Sequence, residues 1–342
     1  MKKGLYYFLV RFVLLAFTFL VFFVQCKKTE NRYIVVYVSE DQVFSEPILR
    51  DFERTTGIKV KALYDTEEAK STGAMNRLIA EKNNPQADVY WANEPIRAEV
   101  LKQKGICAKY ISKNSLDIPI AFKDPQGYWT GFSARIRVFA VNKKIKNRPK
   151  SILAYIDPKW KGRGVIANPL FGTTTSQIAA LFTIWGDTRG KEFLTLMKRN
   201  KIAISTSNGE SADFVASGHY DFSLVDSDDV INRMRQGKPI DIVYPDQGKN
   251  EIGCFVVPNV VILIKGAPHP KEGKLLVDYL LSPETERKLA LASCAQIPLH
   301  PNVVPPKELK SINKIKIMRV NYKDIAKKLI EIQPFLKKWT GL

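Results

Sequence analysis

The chain has 342 residues, of which 25% are charged and 11% aromatic, with 53 Lys+Arg against 34 Asp+Glu and a formal charge of +19. That length is enough for two sizeable lobes, and the apolar and aromatic content excludes a disordered chain. A basic balance raises nucleic acid as a partner, but no zinc-finger spacing or arginine-rich arm is present and the chain opens on an export-like segment, so no nucleic-acid partner is expected. Much of the positive excess lies in 307–338, where it reads as a solvated basic face or as a surface for anionic solutes or lipid headgroups.

Lys2, Lys3 and Arg11 precede an apolar run over 12–24. A basic start, a short apolar core and a polar sequel read as a secretory signal over 1–25. Cys26 follows at once, then Lys27, Lys28 and Thr29, and the segment looks like a bacterial lipoprotein signal with Cys26 as the lipid-attachment residue. Residues 5–24 are nearly long enough to span a bilayer, which keeps a retained anchor open. Either way the body is expected in the periplasm or at the cell surface, with 26–32 as a linker.

Beyond it the pattern alternates. The spacing predicts a strand at 33–38, a helix at 46–56 closed by Gly57, a strand at 58–63, a helix at 69–82, a strand at 87–91 and a helix at 94–104. A second region shows strands at 134–141, 164–167, 202–205 and 222–225. Helices are expected at 150–155, 176–185, 191–199 and 210–217. Strand–helix alternation gives an α/β protein, and ligands of open parallel sheets sit beyond the carboxyl ends of strands.

The strand at 222–225 delivers Asp226, Asp228 and Asp229. Three carboxylates this close repel unless a cation or water screens them. They read either as an acidic turn capping a helix from Val230 or as a site for a cation, an amine or a sugar hydroxyl. Thr173, Thr174 and Thr175 fall at an expected helix start after Gly172, where free N–H groups suit an anion; a plain Thr cap is the alternative. Arg135 and Arg137 alternate along one strand and share a face. Trp91, Tyr128 and Trp129 stand on expected loops, as stacking residues or as packing, and 244–247 reads as a hinge-side loop reaching the ligand or as a tight turn anchored by Pro245. With Cys26 acylated, Cys107, Cys254 and Cys294 are left; a Cys254–Cys294 disulfide and three buried thiols are both open, and the lack of a C-x-x-C pair removes zinc and thioredoxin-like sites. His219, His269 and His300 are scattered and form no catalytic triad setting.

The motifs TTGIKVKALY (55–64), NPQADVYW (84–91), GFSARIRVFAVN (131–142), DPKWKGRG (157–164), NGESADFVASGHYDFSLV (208–225), VDYLLSPETERKLA (277–290) and IPLHPNV (297–303) carry a resemblance. In that order, the chain resembles the periplasmic solute-binding proteins of ABC transporters, in the branch that includes ferric-ion-binding proteins. The resemblance implies a two-lobe type 2 periplasmic-binding fold with a cleft. The first lobe would hold 33–123 plus 251–299 and the second 131–248, with a basic tail over 300–342 packing back on the lobes. It implies a receptor that closes over a solute and delivers it to a membrane permease, without catalysis.

Ferric relatives carry adjacent tyrosines where this chain has Asp228 and Asp229, and their imidazole and carboxylate positions fall here near Asp41 and near Asn93 or Glu94. The usual iron set is thus absent, although Asp41, Glu94, Asp228 and Asp229 offer hard oxygen ligands. The sequence therefore favours a small polar anionic solute, phosphorylated or phosphonate-like, held by Arg135, Arg137, Thr173, Thr174 and Thr175 opposite the carboxylates, with no cofactor. Ferric-ion transport is the alternative. A metal-dependent phosphoesterase and a purely structural lipoprotein are the more distant ones.

Overall fold

The computed structural model describes residues 32–65 and 72–341. The signal over 1–25, Cys26 and the beginning of the helix expected at 69–82 lie outside the described residues. No helix among the described residues is long and apolar enough to cross a membrane.

The chain opens with β1 (Tyr33–Val38), α1 (Gln42–Thr56), β2 (Lys59–Tyr64), α2 (Thr72–Ala80), β3 (Val89–Ala92) and α3 (Pro95–Gln103). Helix α1 buries Ser45, Ile48, Leu49 and Phe52 along one face and ends at Gly57, whose φ of 72° lets its N–H return to the Glu53 carbonyl. Pro95 occupies the first turn of α3, where a missing N–H costs nothing, and the Glu94 carboxylate accepts from the N–H groups of Ile96 and Arg97. Strands β1, β2 and β3 run parallel.

Next comes β4 (Thr130–Asn142), thirteen residues, all buried. The second region follows as β5 (Gly164–Ala167), α4 (Gly172–Arg199), β6 (Ala203–Ser205), α5 (Asn208–Ser217), β7 (Phe222–Asp226), α6 (Ser227–Arg235) and β8 (Ile240–Val243). The chain then returns through β9 (Val256–Leu263), α7 (Pro270–Leu280), α8 (Pro283–Leu291) and α9 (Tyr322–Thr340). Run α4 is broken at Gly186, with φ 78° and ψ 167°, so the two helices expected at 176–185 and 191–199 lie on either side of a glycine kink.

The strands follow the path β2-β1-β3-β9-β4-β7-β5-β6, with β8 also on β4. The first half of β4, Thr130–Ile136, pairs antiparallel with β9. Its second half, from Arg137, pairs with β7 and β8. One strand therefore belongs to both sheets of a two-lobe α/β architecture. The strand is longer than the sequence suggests because its first residues, including Gly131 and Ser133, are poor strand formers.

Ser133 sits in a bulge of β4, with φ 41° and a register shift between Phe132 and Ala134. Its N–H donates to Oε1 of Glu286 at 2.7 Å, and the same carboxylate accepts from the N–H groups of Leu299 and His300. Glu286 is fully buried. The bulge at the lobe junction is thus pinned to α8 and to the segment after it. Helix α9 spans both halves: it packs on α3 and α4, and Trp339 donates its indole N–H to the Leu194 carbonyl.

Glu286→Gln tests the pinning. Gln has one carbonyl oxygen where the carboxylate offers two, and its amide group faces N–H donors. Lost charge-assisted bonds put the expected loss at about 2–3 kcal/mol. Urea unfolding is the check, and an unchanged midpoint would remove Glu286 from the account.

Candidate functional site

Arg137 organises the second-lobe side. It is fully buried. Its Nη1 donates to Thr173 Oγ1 at 3.1 Å, Asn208 Oδ1 at 3.0 Å and Asp226 Oδ1 at 3.2 Å. Its Nη2 donates to Thr174 Oγ1 at 3.2 Å and the Leu224 carbonyl at 2.8 Å. Thr173 Oγ1 donates to Asp226 Oδ2 at 2.7 Å. One guanidinium therefore ties β4 to β7 and to the first turns of α4 and α5. The register explains this, since Arg137 stands directly opposite Asp226.

Asp226 ends β7, and α6 begins at Ser227. The helix expected from Val230 starts three residues earlier. Asp226 occupies the cap position without making a side-chain cap bond, because Arg137 and Thr173 already hold its carboxylate. Asp228 and Asp229 fall in the first turn of α6, where the helix dipole favours negative charge.

Asp226, Asp228 and Asp229 each contribute a carboxylate oxygen to a group lying within 4.8 Å; Asp226 is buried and the other two partly so. Oxygens at that spacing can share one hard cation. The expectation that the protein takes no cofactor is corrected here: this carboxylate group can hold a metal ion and points to a ferric ion.

The electrostatics agree. Desolvation pushes the Asp228 carboxyl up to about 6; Asp226 and Asp41 push the same way and Arg135 opposes them. Asp229 is also raised, by desolvation first and then by Asp228 and Asp226, despite Arg233 and Arg137. Oδ1 of Asp228 is buried without a hydrogen-bond partner. Burial and mutual repulsion raise them although Arg137 pairs with Asp226 and Arg233 lies 3.6 Å from Asp229.

The first-lobe side is also acidic. Asp41 precedes α1, and its carbonyl accepts from the N–H groups of Phe44 and Ser45. Glu94 is spent on α3 and on Arg97, at 2.7 Å, and its Oε2 accepts from Ser176 Oγ of α4 at 3.3 Å, a contact between the lobes. Arg135 is buried on β4 and bonds the Asn93 carbonyl.

Of the residues singled out from sequence, Asp226, Asp228 and Asp229 come together. Asp41 and Glu94 stand on the opposite lobe. Arg137, Thr173 and Thr174 form the bracing of Asp226, while Thr175 Oγ1 is buried without a hydrogen-bond partner. Asn208, whose amide bridges Arg137 and Thr173, was missed; it lies 71 positions from Arg137 and no local pattern links them. Trp91 packs on Phe132, and Trp129 donates to Glu99 and meets Tyr322 edge-on. Tyr244 Oη accepts from the Lys310 N–H. Cys107, Cys254 and Cys294 are free and buried.

Two lobes on a shared strand, with polar groups facing across the junction, define an extracytoplasmic solute-binding receptor of the type 2 periplasmic class. The chain belongs to the family described as "Bacterial extracellular solute-binding protein", which matches residues 48–317. It is 24% identical over 296 residues to the "Putative 2-aminoethylphosphonate-binding periplasmic protein" of Salmonella typhimurium, covering 84% of each chain. It is 26% identical over 301 residues to "Iron uptake protein A1" of Synechocystis, covering 82% of this chain and 81% of that one. Iron-bound HitA from Pseudomonas aeruginosa shares the fold with a TM-score of 0.79 at 23% identity, over 89% of this chain and 99% of that one. The protein is an extracytoplasmic solute-binding receptor related to the ferric-binding-protein branch of ABC importers.

The raised carboxyl gives a pH prediction. Asp228 binds its proton more tightly folded than unfolded, so its contribution to stability is full below about pH 4 and is lost as pH rises through about 6. Metal-free Asp228→Asn should therefore equal or trail the parent at pH 4 and exceed it at pH 7 by about 1–2 kcal/mol, allowing for partial exposure. Thermal unfolding across that range is the check. Parallel pH profiles would contradict it.

Proposed function

We propose that the protein is the receptor of an ABC importer for a hard metal cation, ferric ion first, held through carboxylate oxygens of Asp226, Asp228 and Asp229. The observation that carries this reading is the three-carboxylate group itself, gathered within 4.8 Å, with the carboxyls of Asp228 and Asp229 raised first by burial and then by one another and Asp226. Ferric ion is a hard acid and carboxylates are hard donors. The iron uptake protein of Synechocystis and iron-bound HitA support the same cargo. Arg137 and Thr173 are engaged with Asp226, and Thr174 with Arg137 and Asn208, which favours their holding a ligand in place over their meeting an anion.

Binding would run by closure. Asp226 is fixed by its buried bracing, Asp228 and Asp229 by the first turn of α6. A cation entering here gains the attraction of charges already gathered, and their repulsion is relieved as it binds. Asp41 on the other lobe would add negative potential as the lobes approach. A ligand that prefers the closed form shifts the population toward it, and that form is the one an importer permease would read. Export and a lipid anchor through Cys26 would keep the receptor beside the permease.

A second reading keeps the same carboxylates for the ammonium group of an aminophosphonate. Asp at the two positions where ferric relatives carry tyrosine favours it, as does the Salmonella relative.

Titration calorimetry with ferric citrate and with 2-aminoethylphosphonate separates the two. The proposal expects iron binding in the parent and at least a hundredfold loss in Asp228→Asn/Asp229→Asn, with the fold intact by circular dichroism. The iron-loaded protein should lack an intense visible phenolate-to-iron band, because neither residue is a phenol. Tight binding of the aminophosphonate without iron binding would overturn the cation reading. A strong phenolate band would move the site to a tyrosine.

A further inference from the structure

The first strand starts at Tyr33, and the surroundings of that residue are basic. Tyr33 pairs with Lys59 of β2, Lys61 Nζ lies 3.5 Å from the centre of its ring, and the His269 ring packs on it at 4.3 Å. Asp88 holds His269: its Oδ1 accepts from the His269 N–H at 2.6 Å, and its Oδ2 lies 3.0 Å from Nδ1. The neighbouring loops meet here. The Lys265 N–H donates to the Ile106 carbonyl and the Ile264 N–H to the Asp88 carbonyl, while Gly266 packs on Pro85 and Lys82 reaches over Gly105. Segments 57–59, 82–88, 104–106 and 265–271 therefore form one surface, at the amino ends of β1, β2 and β3. They hold five lysines, Lys59, Lys82, Lys104, Lys265 and Lys271, and one acid, Asp88. All five lysines are exposed, and Asp88 is fully buried. The undescribed 66–71 join Asp65, beyond the carboxyl end of β2, to Thr72, the first residue of α2; both lie at the other end of those elements.

Local stability does not explain the set. Lys82 and Lys104 follow the carboxyl ends of α2 and α3, where a helix favours a cation. Lys271 stands in the first turn of α7, the end that disfavours one. Like charges on one face also repel. The bordering acids are engaged: Glu53 accepts from the Val60 N–H, Glu81 meets Tyr37 and Arg77, and Glu272 has a partner of its own. The basic helix α9 differs, since its Lys327 and Lys328 lie against Glu331 and Asp187.

We propose that this face is where the receptor rests on an anionic lipid bilayer. Residues 27–32 join Cys26 to Tyr33, and six residues reach about 20 Å at most. Lys27, Lys28 and Arg32 in that stretch add three positive charges. A lipid on Cys26 would bring the face to headgroup phosphates, where each lysine adds attraction that fades within a Debye length, about 8 Å. Asp41 and Glu94 follow the carboxyl ends of β1 and β3, the opposite end of the same strands. The posture therefore turns the first-lobe side of the cleft away from the lipid, toward the solution that carries cargo. It holds whichever cargo is bound.

The test uses the soluble chain from Lys27 to Leu342, whose body from Tyr33 is one compact unit, so no lipid anchor contributes. Its partition is measured by flotation with vesicles of phosphatidylcholine alone and with about one third phosphatidylglycerol. The face variant carries Lys59→Gln, Lys82→Gln, Lys104→Gln, Lys265→Gln and Lys271→Gln. The control variant removes the same charge from exposed lysines of the C-terminal region: Lys314→Gln, Lys323→Gln, Lys327→Gln, Lys337→Gln and Lys338→Gln. Binding of the parent should require phosphatidylglycerol and vanish in strong salt. The face variant should lose about thirtyfold or more, and the control no more than about threefold. Lys265→Glu/Lys271→Glu, confined to one exposed loop and the first turn of α7, should already lose about tenfold, with circular dichroism unchanged. Equal losses in the face and control variants would overturn the inference, because net charge alone would then explain binding. A parent that floats equally with phosphatidylcholine alone, or with neither vesicle, would overturn it too.

Discussion

Arg137 and Asp226 form a buried ion pair at 3.2 Å, and the site is built on it. Two charges taken out of water are costly unless their remaining bonds are satisfied. Thr173, Thr174, Asn208 and the Leu224 carbonyl supply those bonds. The pair therefore fixes more than itself. It registers β4 against β7, brings the first turns of α4 and α5 to the same point, and holds one carboxylate of the metal-capable group at a set position. Removing either partner leaves an uncompensated buried charge, a loss of about 3–5 kcal/mol in such settings.

From that pair the asymmetry of the cleft follows. The second lobe offers a rigid carboxylate, Asp226, beside two that sit at the start of α6. The first lobe offers Glu40, Asp41 and Glu94 from loops after β1 and β3, one of them already bridging to Ser176. Strand β4 carries Arg135 and Arg137 between the two. They are two residues apart and do different work: one is consumed inside a lobe, the other stands at the junction. The bulge at Ser133, two residues before Arg135, bends the same strand where the lobes meet. Charge and flexure are thus placed within a few residues of each other.

Much of the fold is legible from local pattern. Tyr33–Val38 and Gly164–Ala167 have the expected bounds, and Gly57 ends α1 as a left-handed glycine should. The three-aspartate run after β7 stands out because apolar strands rarely end in such a charge density. Other features depend on long-range pairing. The Arg137–Asp226 pair joins residues 89 positions apart, and nothing near either residue marks it. The start of α6 at Ser227, three residues before the expected Val230, follows from Asp226 taking the cap position while Arg137 and Thr173 hold its carboxylate. Asp226 was legible as a candidate cation ligand beside Asp228 and Asp229, but its bracing by Arg137 and Thr173 was not.

The account holds that the cargo is a hard cation bound by carboxylates at the end of β7. X-ray absorption at the iron edge, on protein loaded with ferric citrate and freed of excess iron, tests this most directly. The account predicts an iron shell of oxygen donors that loses carboxylate scattering when Asp228 and Asp229 are both replaced by Asn. An unchanged shell in that variant, or protein that retains an organic anion and no iron, would contradict it.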